Sequence, residues 1–330
     1  MRETTLAERK ESLKGSKVAI GVDIGGTAVK AALVSEAGVI SHRTEKPTDP
    51  LAGTASIVAI VGEVMAIAAA TDLEVVGVGV GAAGFVDFGA GSMTFAPNLV
   101  YEDPAIAAAV ERAVQVPVTL DNDANAAAWG ERSFGAVPGA NDLVLLTLGT
   151  GIGSGIVQNG RLIRGHTGTG SEFGHTIIEV SGPLCRCGLK GCIEQLASGQ
   201  AIERMAREAV VDDPSSSILD FAGSTEAITG LDVTKAAREM DATARTVLRR
   251  AGKYLGIGMS NIANLFDPEV IVLSGSVVGA GEPYLGPARD TLAEMTAAQK
   301  RRPMRVVLST LGFDAGIVGA ARQAFDKALG

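Results

Sequence analysis

Two segments of the chain share one pattern, an aliphatic run that stops at a glycine turn. They are IGVDIGGT (20–27) and LLTLGTGIG (145–153). A run of this kind reads as a buried strand, and the glycines after it as a tight strand-end turn. Around both, strands alternate with helical patterns, which predicts two α/β domains with largely buried sheets. The strand KVAIGVDI (17–24) is followed by a hairpin around Glu36-Ala37-Gly38, a helix over 52–70 and a buried strand over 74–81. Asp103 as N-cap with Pro104 at the first helical position predicts a helix over 103–114. Next come a strand over 116–120, a helix from Asp123 to Phe134, a strand over 142–149 and two short strands. Further on, the pattern predicts a helix over 195–209 and a polar surface loop over 212–217. Asp232 then caps a long helix running to Phe266. A strand begins at Val270, with a helix over 289–299, a strand over 305–309 and a helix over 314–328 to finish. Residues 1–16 read as a frayed or helical extension.

The chain has 330 residues, enough for two domains with real cores. It is 46% hydrophobic and 20% charged with 42 glycines, which suits a compact, turn-rich enzyme. A net charge of −8 argues against a nucleic-acid surface, which needs a basic patch. The N-terminal MRETTLAERKESLKGSK is polar, so no signal peptide is expected there. No apolar run reaches the roughly 20 residues of a membrane helix, so no membrane partner is expected.

All three cysteines of the chain fall within CRCGLKGC (185–192), shortly after His175, one of three histidines. His175, Cys185, Cys187 and Cys192 therefore make a Cys₃His set, a ligand combination of closed, tetrahedral structural zinc sites. Gly188 and Gly191 ease the tight path such a loop must take. The alternative is three unpaired cysteines in a surface loop. A disulfide is disfavoured by the odd count, and reduced thiols suit the cytoplasm.

Asp23-Ile24-Gly25-Gly26-Thr27 sets a carboxylate at a strand end, then two glycines and a hydroxyl. Glycine backbone N–H groups approach an anion closely, and Thr27 adds a donor. Asp23 has the hard oxygen ligands that suit Mg²⁺. Gly149-Thr150-Gly151 forms a second loop of the same chemistry; the turn after Leu273, with Gly275, is a third strand-end glycine turn that either packs against a nucleoside or only joins strand to helix. Taken singly, each is also an ordinary turn. The first two together, one in each half, suggest a nucleotide phosphate chain clamped between domains, with neither a Walker A lysine nor a GxGxxG helix start.

Asp121-Asn122-Asp123 follows a strand and opens a small-residue helix. One of the three suffices as an N-cap. A carboxylate at this place beside phosphate loops is what phosphoryl transfer to a hydroxyl requires, with Asp123 as base and Asn122 bonding the substrate. Glu172 and Glu194 flank the cysteine cluster and Asn98 sits in an APN turn; such groups can hold vicinal hydroxyls, though each singly also reads as a solvated surface residue. His42 and His166 have no clustered partners and read as structural or exposed.

DIGGT (23–27), NDANAAA (122–128), LGTGIGSG (148–155), GSEFGH (170–175), CRCGLKGCIE (185–194) and ASG (197–199) resemble the ROK family of bacterial sugar kinases and repressors. The likeness is strongest to its ATP-dependent glucokinases. The resemblance implies the actin/Hsp70/sugar-kinase fold, with ATP on one side of an inter-domain cleft and a hexose at its base. Residues 1–120 with 314–330 would form the smaller domain and 121–313 the larger. Asp123 would be the general base for the 6-hydroxyl, and Asn98, Asn122, Asp123, Glu172, His175 and Glu194 would hold the sugar. Asp23, Gly25, Gly26, Thr27, Gly149, Thr150, Gly151 and Gly275 would face ATP and Mg²⁺. His175 would offer one ring nitrogen to the sugar and the other to zinc.

Two departures stand out: Ala83-Gly84 where the family often has Pro-Gly, and Ser276 where it often has a second glycine. The resemblance implies a cytoplasmic homo-oligomeric hexose kinase, glucose being the leading substrate. Fructose, mannose, N-acetylmannosamine or N-acetylglucosamine are the alternative sugars. A non-catalytic ROK sugar sensor is the reading from another class, and Asp123 with both phosphate loops argues against it.

Overall fold

The computed structural model describes residues 15–25, 28–96, 98–296 and 302–330. The expected extension over 1–16 and the loop residues Gly26 and Thr27 fall mainly or wholly outside these.

Two five-stranded sheets form the frame. The first has strand order β3-β2-β1-β4-β7. Its strands are β1 (Lys17–Ile24), β2 (Ala28–Ser35), β3 (Ile40–Pro47), β4 (Glu74–Ala82) and β7 (Val118–Asn122). The small ribbon β5 (Phe85–Asp87) and β6 (Ser92–Phe95) lies between β4 and β7 in the chain. The second sheet has order β10-β9-β8-β11-β12. Its members are β8 (Leu143–Leu148), β9 (Ile152–Gln158), β10 (Arg161–Leu162), β11 (Val270–Ser274) and β12 (Arg305–Leu308). In both sheets two antiparallel hairpin strands lead into parallel ones. The pattern shared by the two opening segments is thus a shared topology.

Both faces of each sheet are covered, so strand residues are apolar at odd and even positions alike. In β1, Val18, Ile20, Val22 and Ile24 pack with Ile57, Ile60 and Val64 of the helix Gly53–Ala70. Ala19 faces the other way, onto Ile317 and Phe325 of the helix Ala315–Leu329. Gly21 and Gly79 permit that helix to lie on the sheet, because a Cβ on either would overlap the carbonyl of Ile317 or Ala320. Along β8, Val144, Leu146 and Leu148 join a core with Leu255 and Met259 of the helix Ala242–Phe266. Leu143 and Leu145 face Ala127 and Ala128 of the helix Asp123–Phe134.

The helix Gly53–Ala70 has a mean hydropathy of 1.8 over 18 residues, apolar enough to cross a membrane by composition. Here it is a core helix whose Ile57, Ile60, Val61 and Val64 are fully buried.

Several boundaries differ from the sequence pattern. The helix expected from Asp103 starts at Ile106, because Asp103 accepts the Ala105 backbone N–H at 3.0 Å and bends the chain before it. The helix expected over 195–209 is broken at Ser198, which caps a new helix, Gly199–Asp212. Asp232 is the third residue of a capping box whose N-cap is Thr229. That helix stops at Arg238, and Asp241 caps a separate one, Ala242–Phe266, after Met240 at φ 70°. The stretch 212–217 is not all surface, since Ser216 is buried and donates to Asp241. The helix expected over 289–299 runs Glu282–Met295, with 297–301 outside the described residues.

Candidate active site in the cleft

A cavity of about 340 Å³ opens between the two sheets. Asp23 at the end of β1 and Asp123 at the start of its helix line one side, and Thr147, Ser274 and Gly275 of the second sheet line the other. Strand C-terminal ends meet here, the place where open α/β sheets bind ligands.

Asp23 is pushed up to about 6, first by burial and then by the charge of Asp123, against the opposing pull of Lys30. Burial also raises Asp123, with backbone N–H groups acting the other way and the charge of Asp121 adding to the rise. Two carboxylates in one desolvated cavity hold charge at a cost, the condition under which a cation or a proton is welcomed.

Asn122 caps the helix, its side-chain oxygen accepting the N–H of Ala124 at 2.9 Å and of Asn125 at 3.2 Å. Its amide nitrogen donates to the carbonyl of Gly84 at 3.2 Å, leaving one amide hydrogen for a ligand. Gly84 is at φ 135°, and a Cβ there would overlap the carbonyl of Phe95. Any residue but glycine would therefore disturb the acceptor of Asn122.

Glu172, His175 and Glu194 come from the second sheet's side. Glu172 precedes a single 3₁₀ turn, Phe173–His175, and is raised by burial, with His175 lowering and Asp123 and Glu194 raising it. This mutual influence brings Glu172, Glu194 and Asp123 into one neighbourhood. Glu194 accepts the Ile152 N–H at 3.1 Å, which ties it to the turn between β8 and β9. That turn is closed by Gly149 N–H to Gly151 at 3.0 Å and docks on the helix at 199, where Gly199 N–H reaches Gly149 at 2.8 Å. Thr150 is exposed at its tip. Gly25 N–H closes the first turn on Ala28 at 2.9 Å. Gly275, at φ 93°, lies so close to Leu148 that a Cβ would overlap its backbone. Gly26 and Thr27 lie outside the described residues. Asn98 is exposed and makes no hydrogen bond to the other candidates among the described residues.

The ligand atoms of His175, Cys185, Cys187 and Cys192 all lie within 4.8 Å of one another. Cys185 Sγ is 3.6 Å from His175 Nδ1, and Cys187 Sγ is 3.6 Å from Cys192 Sγ. Four ligands about 2.0–2.3 Å from one ion at tetrahedral angles stand roughly 3.3–3.8 Å apart, so the set fits a four-coordinate ion. All three cysteines are free thiols, and Cys185 and Cys192 are buried. With Nδ1 toward the thiols, the second ring nitrogen is left for another partner.

Sequence reasoning missed Arg164, which ion-pairs with Asp121 at 2.7 Å. It also missed Tyr101, whose buried hydroxyl lacks a hydrogen-bond partner among the described residues and feels the charge of Asp123. Neither sits in a local motif. A larger cavity, about 750 Å³, lies behind β7 among Phe88, Trp129 and Arg164, away from the converging carboxylates.

The ROK family profile matches residues 19–327. A glucokinase of Streptomyces coelicolor is 38% identical over 308 residues, covering 92% of this chain and 96% of that protein. A glucokinase of Thermotoga maritima is 36% identical over 303 residues, covering 92% and 95%. Among solved structures, a ROK family glucokinase from Streptomyces griseus in complex with glucose and AMPPNP superposes with a TM-score of 0.80. It is 39% identical and covers 94% of this chain and 99% of that one. The chain belongs to the ROK family.

Proposed function

We propose that the protein is an ATP-dependent hexose kinase that phosphorylates the 6-hydroxyl of glucose, with Asp123 as general base. The observation that carries this reading is the shared cavity. Asp123 and Asp23 line it beside the Gly275 turn, with Glu172, Glu194 and His175 adjacent. The kinship to glucokinases over more than nine-tenths of the chain supports the same substrate pair.

In this reading Asn122, Glu172, Glu194, His175 and Asn98 hold the sugar hydroxyls, and Asp123 faces the 6-hydroxyl. The hydroxyl oxygen attacks the γ-phosphorus in line, its proton passes to the Asp123 carboxylate, and the bond to the ADP oxygen breaks. Burial favours the protonated form of Asp123 and so makes its carboxylate a stronger base than an exposed one. The Gly149–Gly151 and Gly275 turns and the Gly25 end of β1 would face the phosphates. Asp23 would hold Mg²⁺, which supplies charge neutralisation along the phosphate chain. His175, Cys185, Cys187 and Cys192 would hold Zn²⁺, which fixes the His175 ring so that Nε2 meets a sugar hydroxyl.

The same reading divides the chain into a smaller domain, 1–120 with 314–330, and a larger one, 121–313. It places the enzyme in the cytoplasm as a homo-oligomer. The exposed apolar side chains Ile177, Val180, Leu184 and Leu189 around the cysteine cluster support self-association, which light scattering after gel filtration would test. The deciding assay is ADP release over a panel of hexoses. Saturable turnover with the highest kcat/KM for glucose is expected. A preference for another hexose would replace the substrate, and no turnover with any would reject the kinase.

A further inference from the structure

We infer that Asp121 and Arg164 form a positioning pair that locks the base-bearing end of β7 to the sugar-facing loop of the second sheet. The inference rests on the hexose-kinase reading and adds residues that touch no substrate. Asp121 is 1% exposed and lies two residues before Asp123. Its Oδ1 accepts the backbone N–H of Asn122 at 2.8 Å and Asn125 Nδ2 at 3.0 Å. Its Oδ2 accepts Arg164 Nε at 3.0 Å, Arg164 Nη2 at 2.7 Å and Gln323 Nε2 at 2.9 Å. One carboxylate thus gathers β7, the Asp123 helix, the segment after β10 and the final helix.

Arg164 is the hinge of the second group. Its carbonyl accepts Gly170 N–H at 3.0 Å, closing the loop that leads to Glu172. Next to it Ser171 Oγ donates to Ile163 at 2.7 Å. The guanidinium also lies 3.7 Å from the centre of the Phe88 ring, which fixes its plane. Asn122 ends a strand of the first sheet and Asp123 opens the helix after it, whereas Glu172 and His175 lie in the segment that follows β10 of the second. Among the described residues, the Asp121–Arg164 pair, with two guanidinium N–H groups on one carboxylate oxygen, is the ion pair that joins the strand end beside them to the loop carrying Glu172.

A buried carboxylate is costly unless its lone pairs are filled, and here five donors fill them. An apolar side chain would pack the same space without that cost, but it would not fix two backbones in register. Misplacement of a reacting group by about 1 Å costs roughly 10²-fold in rate. Arg164 borders the 750 Å³ cavity behind β7. Water entering that space can hydrate Asp121 when the guanidinium is gone, so Arg164→Ala is expected to fold.

The test compares kcat, KM for glucose, KM for ATP and the melting midpoint in the unmodified protein, Arg164→Ala, Arg164→Lys and Gln323→Ala. Arg164→Ala is expected to lose about tenfold or more in kcat, with KM for ATP changed less than about twofold. Arg164→Lys, which keeps the charge and one donor, is expected to recover at least about threefold of that loss. Gln323→Ala removes a donor from the same oxygen without touching the loop. It is expected to lower the melting midpoint while kcat stays within about twofold. Arg164→Ala with kcat within about twofold, or Gln323→Ala losing as much kcat as Arg164→Ala, overturns the inference alone. An unmodified protein that turns over no hexose overturns the kinase reading and the inference with it.

Discussion

The carboxylates on either side of Asn122 live in opposite surroundings. Behind β7, Asp121 is saturated: five donors from four segments fill both oxygens. On the cleft side, Asp123 accepts the N–H of Ala124 at 2.9 Å and lines the cavity, where burial desolvates it. A carboxylate whose lone pairs are filled by an arginine is a fixed anchor. One that is desolvated and poorly bonded has its proton affinity raised and can take a proton in a reaction. The same residue type two positions apart thus has opposite surroundings, and side-chain partners decide which.

The largest expected effect breaks this contrast at its reactive end. Asp123→Asn should lower kcat by about 10²–10⁴, the range of a general base, while leaving the melting midpoint within a few degrees. The pH profile follows in sign. The base must be ionised, and burial raises Asp123, so the acid limb of kcat/KM should lie above the ordinary carboxylate range, near 4.

Next in size is the cysteine cluster. Cys192→Ser should abolish stoichiometric zinc in protein purified without chelator and raise KM for glucose by roughly tenfold or more, since ligand support of a site residue is worth that much. Stoichiometric zinc in that variant would remove Cys192 from the ligand set.

Asp23 gives a smaller, pH-gated effect. Its carboxyl, pushed up to about 6, lies above the ordinary value of 3.8. The folded state therefore binds the extra proton, and stability falls as pH rises through this window. Asp23→Asn should stabilise the ligand-free protein at pH 7 by about 1–3 kcal/mol, and the gain should vanish below about pH 4. Denaturant unfolding at the two pH values reads this directly. Smallest is Arg43→Ala, which removes a 2.5 Å pair with Asp314 whose partners are 45% and 35% exposed. Its effect on unfolding should be under about 1 kcal/mol.

Much of this arrangement is legible in the chain because it is local. β1, β4 and the helix Asp123–Phe134 announce themselves by aliphatic runs and small-residue periodicity, and the soft-ligand cluster by spacing alone. The break at Met240 is not legible, because the helical pattern continues across it and only the left-handed φ of 70° interrupts it. The start at Ile106 is missed because Asp103 spends its side chain on a turn instead of a cap. Arg164 and Gln323 are invisible for a different reason. They meet Asp121 across 43 and 202 residues, and no spacing in the sequence encodes that meeting.

The central claim is that the cleft passes a phosphoryl group from ATP to the 6-hydroxyl of glucose. Phosphorus NMR of the protein incubated with ATP, Mg²⁺ and glucose tests it most directly. The account predicts glucose 6-phosphate and ADP in equal amounts. Phosphate on another sugar oxygen, or ADP formed without any phosphorylated sugar, would contradict it.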